Sequence, residues 1–83
     1  MARVLLNGDL ARRFAGGDQE LRIEAATVRR LFSMLDEKFP GMGEVLNDGT
    51  LAVAIDGIII PDAFLEPLED DTEVVFLPAI RGG

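Results

Sequence analysis

Cysteine and histidine are absent from this 83-residue chain, serine occurs once, at Ser33, and lysine once, at Lys38. Without a thiol or an imidazole there is no ready nucleophile or general base, and Ser33 falls inside an expected helix. No glycine-rich loop closed by a lysine is present to cradle nucleotide phosphates. No cofactor is therefore expected on the chain itself, which cannot adenylate a carboxylate alone. Apolar runs stay far below the ~20 residues that a bilayer span requires, so no membrane partner is expected. The first residues, Met1 to Gly8, break their apolar run after Leu6 and lack a small-residue cleavage site. With no such signal and no cysteine, the cytoplasm is the expected compartment.

What the chain does carry is acid. Fifteen acidic residues against eight basic ones give a net charge of −7, which repels phosphate backbones and excludes nucleic acid as a direct partner. The basic residues do not cluster: Arg12 and Arg13 form one pair and Arg29 and Arg30 another. Such a surface suits a partner with a basic docking face, and it also keeps a small protein in solution. Glu66, Glu69, Asp70, Asp71 and Glu73 gather in one stretch but lack the alternating ligands and central glycine of a calcium loop, so no metal site is expected. A hydrophobic content of 48% without low-complexity runs predicts a folded globule. At this length it is a single domain over residues 1–83, with one core and no room for a catalytic cleft.

Residues Arg3 to Leu6 read as a first strand, punctuated by Asn7-Gly8, and Asp9 to Phe14 as a short helical turn. Leu21 to Glu24 alternates apolar and polar residues, the mark of a strand with one buried face. Thr27 is a candidate N-cap, followed by Val28, Leu31, Phe32, Leu35 and Phe39 at helical spacing, with Pro40-Gly41 as the stop. A weak segment over 41–47 leads into the turn Asn47-Asp48-Gly49. Leu51, Val53 and Ile55 point one way along a third strand and Ala52, Ala54 and Asp56 the other. Asp56-Gly57 then reads as a two-residue hairpin turn into a fourth strand over Ile58 to Ile60. Asp62 to Thr72 is an acidic loop, with Phe64, Leu65 and Leu68 expected to pack beneath it. Glu73 to Leu77 forms the last strand, after which residues 78–83 leave the body as an extended, flexible tail.

The tail ends in Arg81-Gly82-Gly83. Two residues without Cβ can thread a channel too narrow for any other and present a carboxylate deep inside a partner's site. Five extended residues after Pro78 reach at most ~17 Å, enough to enter a buried site from a docked domain. A second feature is apolar excess. One helix covers one sheet face, yet Val74 to Leu77 and Ile58 to Ile60 are apolar on both.

Strand, strand, helix, strand, strand, strand is an α+β order. It resembles the ubiquitin-like β-grasp, a mixed four- to five-stranded sheet packed on one main helix. The local segments Phe14-Ala15-Gly16, Ala26-Thr27-Val28, Phe39-Pro40-Gly41 and Asp71 to Gly83 resemble the MoaD and ThiS sulfur-carrier family, above all the small subunit of molybdopterin synthase. Where that family's tail usually has a second proline and a small residue, this chain has Ala79 and Arg81, the latter echoing the end of ubiquitin.

The resemblance implies a carrier that is not an enzyme alone. An adenylating protein related to the ubiquitin-activating enzymes would use ATP to form an acyl-adenylate at Gly83, and a persulfide donor would supply sulfur. The resulting thiocarboxylate would serve a sulfur-accepting synthase subunit, with molybdopterin as the leading destination. Thiazole, thiolated tRNA, cysteine and siderophore pathways share this architecture. The resemblance also implies that Phe76, Pro78 and Ile80 meet the partner enzymes, and that Gly82 and Arg81 are read as part of the tail. Two other readings stand beside it: a protein modifier joined through Gly83 to lysine, and a noncovalent binding module.

Overall fold

The computed structural model describes residues 1–61 and 63–78. Its order is β1 (Ala2–Leu5), α1 (Gly8–Phe14), β2 (Glu20–Ile23), α2 (Val28–Lys38), α3 (Met42–Leu46), β3 (Leu51–Ile55), β4 (Ile58–Ile59), a 3-10 turn (Ala63–Leu65) and β5 (Glu73–Pro78). The five strands form one mixed sheet ordered β2-β1-β5-β3-β4. β5 lies parallel to β1 and antiparallel to β3, and the remaining pairs are antiparallel. With α2 across one face, this is a ubiquitin-like β-grasp.

The main helix forms where the apolar spacing requires it. Thr27 is extended and its side chain accepts a hydrogen bond from Arg30 N at 3.2 Å, satisfying one of the free donors of the first turn. Val28, Leu31 and Leu35 are fully buried and Phe32 nearly so. Each such side chain contributes roughly 1.5–3 kcal/mol by leaving water. Lys38 lies in the last turn, at the negative end of the helix dipole. Facing them across the core are Val4 from β1, Leu21 and Ile23 from β2, Ile55 from β3, and Val74 and Phe76 from β5.

Two short helices exceed the sequence expectation. The 9–14 turn is a helix from Gly8, because Asn7 Oδ1 accepts from Leu10 N at 2.8 Å and caps it, while Leu10 and Ala11 bury themselves. The 41–47 segment holds α3, which buries Met42 and Leu46 four residues apart and takes a hydrogen bond from Gly43 N to Asp36 Oδ1 on α2. The hairpin follows the sequence closely. Asp56 and Gly57 both have positive φ (49° and 85°), and Ile55 pairs with Ile58 across a two-residue turn. β4 is shorter than expected, stopping at Ile59, although Ile60 N still donates to Val53 O. The acidic loop contains the 3-10 turn. Of the three residues expected to pack there, Leu68 is buried and the Phe64 ring packs edge-on against Phe32 while staying 43% exposed, whereas Leu65 is 81% exposed. The last strand also runs one residue further, so Pro78 pairs with Leu51 instead of opening the tail. Among the described residues, no helix is long and apolar enough to cross a membrane.

Candidate functional site

β5 decides what the end of the chain can do. It is flanked by β1 on one side and β3 on the other, so the direction in which the backbone leaves at Pro78 is set by two ladders. Period-two alternation then sorts its side chains. Val74 and Phe76 point into the core, where the Phe76 ring lies 5.7 Å from that of Phe32. Val75 and Leu77 point to the face that α2 leaves open, and Leu77 is 37% exposed.

This corrects the interface candidate Phe76. At 1% exposure it is a core residue and offers no surface to a partner. Pro78 is exposed at the end of β5 and remains available. Ile80, Arg81, Gly82 and Gly83 lie outside the described residues. Leu77 and Val75 are the residues that sequence reasoning missed. The alternation carries its signal only at Glu73, whose outward face Val75 and Leu77 share, and the four consecutive apolar residues after it conceal the phase.

The register builds the open face row by row. Leu5, Val75, Ala54 and Ile59 are successive cross-strand partners over β1, β5, β3 and β4, forming one apolar row across four strands. Leu77 opposite Ala52 extends it toward the chain end. Ala54 is buried even on this outer face because its longer partners Val75 and Ile59 flank it. Away from the chain end the face becomes charged: Arg3 lies between Glu73 and Glu20, hydrogen-bonded to the first and 3.7 Å from the second, with Arg22 as its neighbour on β2. These are exposed pairs worth at most about 1 kcal/mol each, so they mark orientation more than stability. The face is thus a graded surface, apolar next to Pro78 and ionic at its far end.

The titratable side chains of that face are carboxylates and guanidinium groups, since the chain has neither cysteine nor histidine. The acidic stretch is spread out: Asp70 pairs with the N-terminal ammonium at 3.4 Å and Glu73 with Arg3. Among the described residues, no three carboxylates gather to hold a metal ion.

A family model described as the ThiS family matches residues 4–83, nearly the whole chain and its final glycines included. The chain belongs to the ThiS family. Members of this family are small ubiquitin-like sulfur carriers, not catalysts in themselves. No curated protein matches the sequence. Among solved structures, CysO of Mycobacterium tuberculosis superposes with a TM-score of 0.85 at 18% identity, over 96% of this chain and 100% of that one. CysO in the Amycolatopsis orientalis BexX/CysO complex gives 0.84 at 18% identity, over 100% of both chains. Small archaeal modifier protein 1 of Methanosarcina acetivorans gives 0.79 at 24% identity, over 99% of this chain and 95% of that one. At these identities the ThiS-family chain and its structural neighbours share a fold.

Proposed function

We propose that this protein is a cytoplasmic sulfur carrier whose Gly83 carboxylate is adenylated by a separate activating enzyme and converted to a thiocarboxylate. The observation that carries this reading is the family match through Gly83, in a chain with no catalytic group of its own. A carboxylate resists attack because its charge is delocalised. Its oxygen therefore first attacks the α-phosphorus of ATP on the activating enzyme, forming the acyl-adenylate and releasing pyrophosphate. The terminal sulfur of a protein persulfide then attacks the acyl carbon, and AMP leaves with the electron pair of the broken C–O bond. The acyl persulfide is cleaved by a second thiol: its thiolate attacks the donor's sulfur, the thiocarboxylate departs, and the two thiols end as a disulfide. This chain contributes the carboxylate and the graded sheet face that holds its partner. Leu77, Val75 and Pro78, with Ile80 of the tail, form the proposed interface, and Arg81 and Gly82 the segment read on entry.

Intact mass after incubation with activating enzyme, ATP and a persulfide donor tests the assignment. One oxygen replaced by sulfur is the expected result, and an unchanged mass with no pyrophosphate released refutes it. The likeness to an archaeal modifier favours a second reading, in which a lysine amine of another protein attacks the same acyl-adenylate. That outcome appears in the same experiment as a covalent adduct. The leading destination from the sequence is molybdopterin biosynthesis, whereas two of the structural neighbours carry the name CysO. Supplying the loaded carrier to a molybdopterin synthase large subunit together with its sulfur-free pterin substrate, and following sulfur incorporation into that substrate as the thiocarboxylate is lost, decides that point.

A further inference from the structure

Across the sheet from the open face, the described residues leave a second apolar surface uncovered on the helix side, where the 3-10 turn Ala63–Leu65 lies against α2. The turn is fixed in place. The Phe64 ring meets Phe32 edge-on at 5.3 Å, Val28 N donates to Glu66 O at 3.1 Å, and Leu68 N donates to Ala26 O at 2.9 Å. Anchored by the Phe64 ring before it and by backbone bonds after it, Leu65 nevertheless keeps its side chain 81% exposed. Open grooves flank Phe64. One, of about 670 Å³, runs between α2 and α3 past Arg29, Asp36, Glu44 and Leu65. The other, of about 550 Å³, passes Pro61 and Ile60 down to Leu46 and Leu51. Apolar floors with acidic margins, Asp36 and Glu44 at the groove and Glu66 beside Leu65 against the single Arg29, set the chemistry of what fits.

We infer that this helix-side surface docks the protein that delivers the persulfide, through a segment placing bulky apolar side chains between lysines or arginines. The inference rests on the sulfur-carrier reading and names its second partner. Charge selects the occupant: a second copy would bring two chains of −7 together, whereas a basic segment complements both the margin and the whole molecule. Topology gives it a purpose. The acyl-adenylate forms while the open face and tail are held by the activating enzyme, so a macromolecular donor must engage the carrier elsewhere. The surface around Leu65 is on the opposite side of the sheet, and both proteins can be bound at once.

The test compares wild type with Leu65→Glu and Glu66→Lys, each given activating enzyme and ATP. The sulfur source is either a sulfurtransferase loaded as its cysteine persulfide or inorganic sulfide. Pyrophosphate release reports adenylation and intact mass reports thiocarboxylate. With the protein donor both variants should form thiocarboxylate at least tenfold more slowly, and Glu66→Lys should flatten the salt dependence. Pyrophosphate release and the rate with inorganic sulfide should match wild type. Equal rates with the protein donor overturn the inference, as does an equal fall with inorganic sulfide or a wild-type dimer dissociated by Leu65→Glu. Absence of pyrophosphate release from wild type instead removes the carrier reading itself, and the docking surface with it.

Discussion

Position 76 points at Phe32 across the core and position 77 points to solvent, so adjacent substitutions in β5 probe separate properties. Phe76→Ala should cost about 3–5 kcal/mol in urea unfolding, the range for a large core aromatic removed without collapse of its site. Leu77→Thr keeps a β-compatible side chain and should stay within about 1 kcal/mol of wild type. It should nevertheless lower pyrophosphate release with the activating enzyme, and a normal rate would remove Leu77 from the interface. Asn7→Ala should cost about 1 kcal/mol by losing the cap on α1, and Asn7→Gly only a few tenths. Thr27 was legible as a cap because a polar residue immediately precedes a strong apolar stripe. The inward turn of Phe76 was not legible, because Val74 to Leu77 is apolar at every position and the phase is set by pairing with β1 and β3.

Among the elements, the β3–β4 hairpin was readable from Asp56-Gly57 alone, whereas the contacts that lock it were not. Asp56 N donates to Glu73 O and Asp56 Oδ1 accepts from Glu73 N, both at 2.9 Å, which ties the turn to the start of β5. Gly57→Ala should cost about 1–2 kcal/mol, because its φ of 85° crowds a Cβ. Helix α3 escaped the sequence because Gly41 and Gly43 bracket its start and glycine disfavours helix. Its stability is tertiary. A Cβ on Gly43 would fall 2.9 Å from Asp36 Oδ1, so the bond from Gly43 N to that carboxylate requires glycine. Gly43→Ala should therefore destabilise the protein although alanine is the better helix former. In an Asp36→Ala background the same change should cost less, because Oδ1 and Cγ are gone while the Cβ of residue 36 still lies 3.0 Å away, and a double-mutant cycle measures the difference as coupling.

For the molecule as a whole, element order pointed to the β-grasp and the diglycine ending to chemistry at the terminus, since each is a pattern of residue types along the chain. Exposure of Phe64 and Leu65 was not readable, because it depends on which side of α2 the 63–65 turn approaches. A net charge of −7 predicts that association with the activating enzyme slows about tenfold or more between low and high salt, while dissociation changes little; stopped-flow binding checks this. The parallel pairing of β1 with β5 has a mechanical consequence. An enzyme that hauls on the residues beyond Pro78 while the opposite end of the chain is held drags these two strands past each other lengthwise. The ladder joining Arg3, Val4 and Leu5 to Glu73, Val74 and Val75 is then loaded as a unit, with no single bond peeled first. The domain can bear tension along its final strand, so a partner can tug the terminus into a tight channel without unravelling its cargo's carrier.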